Sequence, residues 1–278
     1  MKKNIWDILS IAMLVILFIV FIIPIFFVVL NSFKGRLYIS DNPFAIPTGE
    51  MYAGFANFIE GIQKTDFFRA FGCSLFITVL SVFVIVLFTA MTAWYLVRVK
   101  TKYTSLLYFA FVFSMIVPFQ MIMFTMSKIA DMLALNNPLG MVVLYLGFGA
   151  GLSVFMLCGF IKAIPLEVEE ASMIDGCTPL KTFFRIVFPM LKPTAITVAI
   201  LNAMWIWNDY LLPYLVIGVS TNYKTIPVAV QYLMGSYGAK DYGSLMALLV
   251  LAIIPIIVFY FSCQKHIIQG VVAGAVKG

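Results

Sequence analysis

One acid sits alone inside an apolar run: Asp209, in Trp205-Ile206-Trp207-Asn208-Asp209-Tyr210. On a helix, Trp205 lies three positions from Asn208 and four from Asp209, so the three share a face. An aromatic plane beside an amide and a carboxylate suits the CH face and hydroxyls of a sugar. The same residues also suit a plain membrane interface, where Trp and Tyr collect, with Asp209 holding a helix contact. A second acidic group, Glu167, Glu169 and Glu170, opens the segment Ile164 to Pro189. Neither group is equipped for bond chemistry. The chain has 1 His and 4 Cys at no metal-ligand spacing, and no nucleophile–base set is visible. There is no Gly-x-x-x-x-Gly-Lys-Ser/Thr run, so the chain is not expected to hydrolyse ATP. These residues point to binding and movement, with no metal and no cofactor held by this chain.

Such groups need elements to position them, and the composition dictates what kind. Of 278 residues, 63% are hydrophobic and 11% charged, and the mean hydropathy is +1.05. Globular domains carry about 25% charged residues, so a soluble fold is excluded. Residues 8–30, 70–97, 103–127, 139–161 and 242–264 hold no Asp, Glu, Lys or Arg, and 194–216 holds only Asp209. A bilayer core needs roughly 20 helical residues, and backbone hydrogen bonding in hydrocarbon makes these runs helices. The expected class is an all-α integral membrane protein, one transmembrane domain over 1–278 with six spans. The first run is too long for a signal-peptide core and is expected to stay as an anchor. The net charge of +6 is topology signal, not a nucleic-acid footprint. With the N-terminus inside, the inner segments 1–7, 98–102, 162–193 and 265–278 hold eleven Lys and Arg against seven in the outer ones. Both termini are then cytoplasmic. The outer loop 31–69 and the inner loop 162–193 are long enough to be functional.

The inner loop is built for two short helices. Pro165 suits a first helical position, and the three glutamates that follow meet the positive end of the dipole. Gly176 is placed to stop that helix, Thr178 to cap a second, and Pro179 to begin it. Pro189 and Pro193 mark the turn into the next span. Leu166, Met173, Ile174, Phe183 and Phe184 suit a protein pocket or a lipid surface, so an interfacial linker is an equal reading of the helix physics.

The residues resemble a specific pattern. Glu170-Ala171-Ser172, three residues, Gly176, nine residues, then Ile186-Val187-Phe188-Pro189 looks like the EAA loop of ABC importer permeases. Ser172 stands where that pattern has Ala, and Phe188 where it has Leu. The resemblance implies a six-transmembrane-helix ABC importer permease bundle with a cytoplasmic coupling helix. Glu170, Ala171, Ser172, Asp175, Gly176, Ile186 and Pro189 would then be the ATPase-coupling residues.

Three further stretches resemble carbohydrate permeases of the maltose type. Gly54-Phe-Ala-Asn-Phe58 to Phe68-Arg-Ala-Phe-Gly-Cys-Ser-Leu75 is like the family's approach to its second span, with Cys73 where the family often has Asn. Trp205-Ile-Trp-Asn-Asp-Tyr210 is like its Trp-x-Trp-Asn-Asp/Glu run. Gln264 to Gly278 is like its closing Gly-x-x-x-Gly-x-Val-Lys-Gly tail. By resemblance, Trp205, Trp207, Asn208, Asp209 and Tyr210 line the translocation path, and Gly274, Lys277 and Gly278 contact the ATPase. The loop Val219–Gly235 would probe a binding protein, with Gly218, Gly235, Gly238 and Gly243 allowing movement. The implied partners are a second permease subunit, two cytoplasmic ATPases carrying ATP and Mg, and an extracytoplasmic sugar-binding protein, all at a bacterial inner membrane. The alternatives are an ABC permease for another small solute, such as a polyamine, and a secondary transporter. Gly147, Gly149 and Gly151 read as helix-packing positions, and Pro24, Pro118 and Pro255 as kinks.

Overall fold

The computed structural model describes residues 5–234 and 241–275, and the side chains of 6–234 and 241–265. Among them the regular structure is helical, apart from one isolated bridge between Lys34 and Tyr52. Contacts gather the chain into two compact units.

The first unit comprises 1–70 and 229–257. Helix α1 (Ile5–Ser32) is apolar on every side. None of its most apolar stretch is buried within the chain, as expected of a helix that faces lipid or another subunit. The loop 31–69 is ordered: it holds α2 (Arg36–Asp41), a 3-10 turn and α3 (Ala56–Thr65). Asn57 donates to the Ser32 and Lys34 carbonyls at 2.8 Å each. Lys34, fully buried, donates to the carbonyls of Asn42 at 2.8 Å and Pro43 at 3.0 Å. These bonds satisfy loop carbonyls that burial would otherwise leave unpaired. Lys64 bridges Glu60 and Asp241 at 2.6 and 2.7 Å.

The second unit comprises 71–228 and 258–278. It includes most of α4 (Phe67–Arg98), then α5 (Lys102–Ser114), α6 (Phe119–Met132) and α7 (Pro138–Ile161). After these come α8 (Leu166–Ile174), α9 (Pro179–Thr182), α10 (Phe188–Met190), α11 (Lys192–Asn208) and α12 (Leu211–Pro213). Helices α13 (Ile226–Tyr232) and α14 (Tyr242–Ala275) are each divided between the two units. The most buried span is α7. On it, a side chain at Gly149 would come within 2.8 Å of Ile85 and 2.7 Å of Asn202, and one at Gly151 within 2.8 Å of the Phe111 carbonyl. Glycine there lets three neighbours approach the α7 backbone. Gly147 does not share this role: nothing lies within 4 Å of its side-chain position.

Four helices are long and apolar enough to cross a membrane, and six spans result if each of two bent pairs is one. The run 103–127, expected as one kinked helix, is α5 and α6 joined at 106°. Pro118 is extended at the N-cap of α6, and its missing N–H and its ring make the break. Pro24 and Pro255, by contrast, lie inside continuous helices. The run 194–216 is not one helix either, because α11 stops at Asn208 and a π-turn over Tyr214–Gly218 follows.

Candidate functional site

The loop 162–193 hangs from the last turn of α4. Pro165, expected as the first helical residue, is instead the extended N-cap of α8. Glu169, in the first turn of α8, points inward. Its side chain is 1% exposed. One carboxylate oxygen accepts from Trp94 Nε1 at 2.8 Å. The other accepts from Arg98 Nε at 2.9 Å and Nη2 at 2.6 Å. Arg98 Nη2 also donates to the Ile164 carbonyl at 3.0 Å. A buried carboxylate and a largely buried guanidinium are thus paired and hydrogen-bonded, the condition under which such burial is tolerated. Trp94 also packs on Phe183, ring centres 5.5 Å apart. Phe183, Val187 and Leu191 join Ala90, Ala93, Ile161 and Ile164 in one buried cluster. One face of the loop is therefore fixed to protein.

The bend between α8 and the helix after it is tied from inside. Ser172 and Thr182, both buried, share a hydrogen bond of 2.9 Å. Gly176 takes φ +82°, a left-handed conformation that ends α8. Thr178 then accepts from the Lys181 N–H at 3.4 Å. Beyond Thr182, the chain widens into a π-turn over Phe183–Val187, just ahead of Pro189, which has no N–H to continue an α pattern.

The coupling residues expected from sequence separate by position. Glu170, Ala171, Asp175, Gly176 and Pro189 are exposed, Ile186 is half-buried, and Ser172 is buried. Ser172 therefore does not belong to the outward surface and acts by holding the bend. Ile174, 86% exposed, stands beside the outward acids. Sequence reasoning missed Glu169, Trp94, Arg98 and Thr182. The available signal was Trp94 and Arg98, one turn apart at the end of a span, with a spare glutamate ahead of Glu170.

The fifth-span group divides as well. Asp209 does not share the helical face of Trp205 and Asn208, because it is the extended C-cap of α11 (φ −72°, ψ 123°). Its Oδ2 accepts from the Tyr145 hydroxyl at 3.0 Å, and its Oδ1 from the Leu211 N–H at 3.1 Å. The carboxylate thereby satisfies the break in the helix, which the apolar surroundings demand. Tyr145, fully buried, stands edge-on to Trp205 at 5.4 Å. Trp207 is buried against Phe71 at 5.9 Å. Tyr210 stacks on Tyr214 at 5.2 Å. Asn208 donates to the Met204 carbonyl at 2.7 Å and, with Trp205, is exposed. So Trp205 and Asn208 are open to a solute or a partner, while Trp207 and Asp209 are engaged within the unit. Gly274 lies in the last turn of α14, Gly218 is buried at the end of the π-turn and Gly243 near the start of α14. Lys277, Gly278, Gly235 and Gly238 lie outside the described residues.

Residues 85–272, which contain the loop, its anchors and the fifth-span group, match the family described as binding-protein-dependent transport system inner membrane component. The chain belongs to that family. This permease component is 37% identical over 263 residues to the probable starch degradation products transport system permease protein AmyC of Thermoanaerobacterium thermosulfurigenes, covering 95% of this chain and 94% of that one. It is 35% identical to the multiple sugar-binding transport system permease protein MsmG of Streptococcus mutans, covering 93% of each. A solved bacterial ABC transporter involved in import of the acidic polysaccharide alginate matches with a TM-score of 0.71 at 21% identity, covering 95% of this chain and 97% of that one. That likeness establishes the fold: an all-helical, multi-pass ABC permease bundle.

Proposed function

We propose that this permease carries a sugar or oligosaccharide inward by alternating access. In this reading it pairs with a second permease chain, and both termini face the cytoplasm. Two cytoplasmic ATPases bind ATP and Mg and grip the outward face of α8. An extracytoplasmic binding protein delivers the sugar to the outer surface. Relatives named for starch products, multiple sugars and melibiose, raffinose and stachyose support the solute class.

The observation that carries the coupling role is the two-faced geometry of α8. Glu169 locks one face to the end of α4, while Glu170, Ala171, Ile174 and Gly176 stand outward. A helix that must transmit a push from another subunit has to be rigidly attached on one side and open on the other. An interfacial linker needs no such lock. The chain performs no bond chemistry in this scheme; it binds the two conformations of the ATPase pair differently and so changes its own.

The test is reconstitution of this chain with its cognate partners in liposomes. Uptake of labelled malto- and raffinose-series oligosaccharides is measured with and without internal ATP. ATP-dependent uptake, lost in Glu170→Lys while the complex still hydrolyses ATP, is the expected result. ATP-independent uptake, or wild-type uptake and ATPase capture by Glu170→Lys, would overturn the reading.

A further inference from the structure

An open cavity of about 810 Å³ lies between the end of α4, the start of α5 and the end of α7. It is a different place from the coupling face and from the fifth-span group. Its polar side is made by Lys100, Lys102 and Lys162 with Thr101 and Ser105, and no carboxylate lines it. Among the described residues, no acid pairs with these three lysines, whereas Arg98 beside them is committed to Glu169. Lys162 lies 5.5 Å from the Tyr108 ring centre, which orients its ammonium at the cavity wall. Thr101, on the cavity wall, caps the 13-residue helix α5 by accepting from the Thr104 N–H. Three like charges gathered without a counter-ion repel one another, and an anion relieves that repulsion.

The rest of the cavity selects which anion. Val97, Leu106 and Phe109 form an apolar wall. From it an exposed stripe runs up α5: Tyr103 80%, Leu106 68%, Phe109 66% and Phe113 65% exposed. Their spacing of three and four keeps them on one face for ~15 Å. A free phosphate has no use for that stripe, and an acidic protein segment would leave it bare. An acyl chain covers it while its headgroup phosphate meets the lysines.

We propose that this cavity is a binding site for an anionic phospholipid, its phosphate held by Lys100, Lys102 and Lys162 and one acyl chain lying along α5. It stands independently of which solute the permease carries.

The probe is dioleoyl phosphatidylglycerol in nanodiscs of dioleoyl phosphatidylcholine around the assembled complex, with retained lipid counted by native mass spectrometry. Replacing all three lysines by glutamine should weaken phosphatidylglycerol retention about fivefold per charge, roughly 100-fold together; the triple arginine variant should keep it. A photoreactive phosphatidylglycerol should label the 97–109 peptide. Unchanged retention in the glutamine variant, or no labelling of 97–109 in the wild type, overturns the proposal; the labelling arm decides even if that variant fails to assemble. Displacement of the lipid by millimolar inorganic phosphate or glycerol phosphate assigns a free anion instead. Labelling that appears only when the ATPase is stripped away assigns a protein contact. Either result also overturns it.

Discussion

Replacing Glu169 by alanine removes one partner of a buried pair and leaves the other behind. The carboxylate is 1% exposed and accepts from Trp94 and twice from Arg98. Breaking a buried ion pair this way costs about 3–5 kcal/mol. Arg98 keeps its bond to the Ile164 carbonyl, and its side chain is 18% exposed. Water therefore reaches part of the abandoned charge, and the lower end applies, about 3 kcal/mol. The neighbouring Glu170 is the control. It is exposed, so its removal should change stability by less than about 0.5 kcal/mol. The assay melts the assembled complex, captures the ATPase and measures uptake per ATP. Glu169→Ala should lower the melting temperature by on the order of 5 °C, weaken ATPase capture and abolish uptake. Glu170→Ala should melt like the wild type and lose only coupling. Exchanging the charges, Arg98→Glu with Glu169→Arg, should recover part of what either single change loses. The reasoning fails if Glu169→Ala melts and transports normally, or if Glu170→Ala destabilises as much.

Trp205→Ala combined with Asp209→Asn removes the exposed ring, the carboxylate charge and one of the two oxygens that accept from the Tyr145 hydroxyl and the Leu211 N–H; a raised half-saturation for sugar is expected, and unchanged transport kinetics would exclude this group from the path. Burial works to raise the Asp241 pKa, but hydrogen bonds from Lys64 and from the Ser244 hydroxyl and N–H together hold it below the usual carboxylate value. A depressed carboxylate contributes stability above its unfolded pKa near 4 and loses it as pH falls through the folded value. Melting temperature should therefore drop more steeply between about pH 5 and 3 in the wild type than in Asp241→Asn, and parallel curves would refute this; the pair is partly exposed and worth no more than about 1 kcal/mol. Spin labels placed on α4 and α7 should hold their separation when ATP is added, while labels flanking 115–118 should change theirs; the reverse pattern would rule out a hinge at that break.

The spans were legible because lipid imposes a negative rule that sequence displays directly: about 20 residues without a formal charge. The breaks were not. Hydropathy runs unbroken from 103 to 127, and a proline such as Pro118 produces a slight kink or a 106° corner depending on whether neighbouring helices leave room for the bend. Pro255, in an equally apolar run, interrupts nothing. The loop pattern placed Glu170 and Gly176 but not the direction each side chain takes. That depends on tertiary partners remote in sequence: Trp94 and Arg98 take Glu169 and leave Glu170 outward. Asp209 read as a lone acid, since its partner Tyr145 is 64 positions away and has no polar neighbour in sequence to advertise it. In the sequence Arg98 is only a topology charge, because a span end says nothing about which loop folds back onto it.

Within the second unit these contacts make a continuous rigid route from the loop to the fifth span. Arg98 and Trp94 fix α8 to α4. Ile85 of α4 lies against Gly149 of α7, and Asn202 of α11 reaches the same glycine while donating to Ser153 at 3.1 Å. Tyr145, further along α7, holds Asp209 at the end of α11. From Ile161 to Tyr145, α7 covers ~24 Å without a break. Interfaces packed this closely do not stretch; they move together or change partners. In the proposed coupling role, a push on α8 would pass to α4, α7 and α11 as one body, and deformation would collect where the ladder is already interrupted: at 115–118, at Asp209–Tyr210 and in the two π-turns. Asp209 sits at one of those interruptions with its carboxylate closing the gap. This explains why a charge is retained inside an otherwise apolar run even though its side chain is turned toward a tyrosine and not toward open space. A break there without an acceptor would leave the Leu211 N–H unpaired, and the hinge would carry a permanent penalty in both conformations.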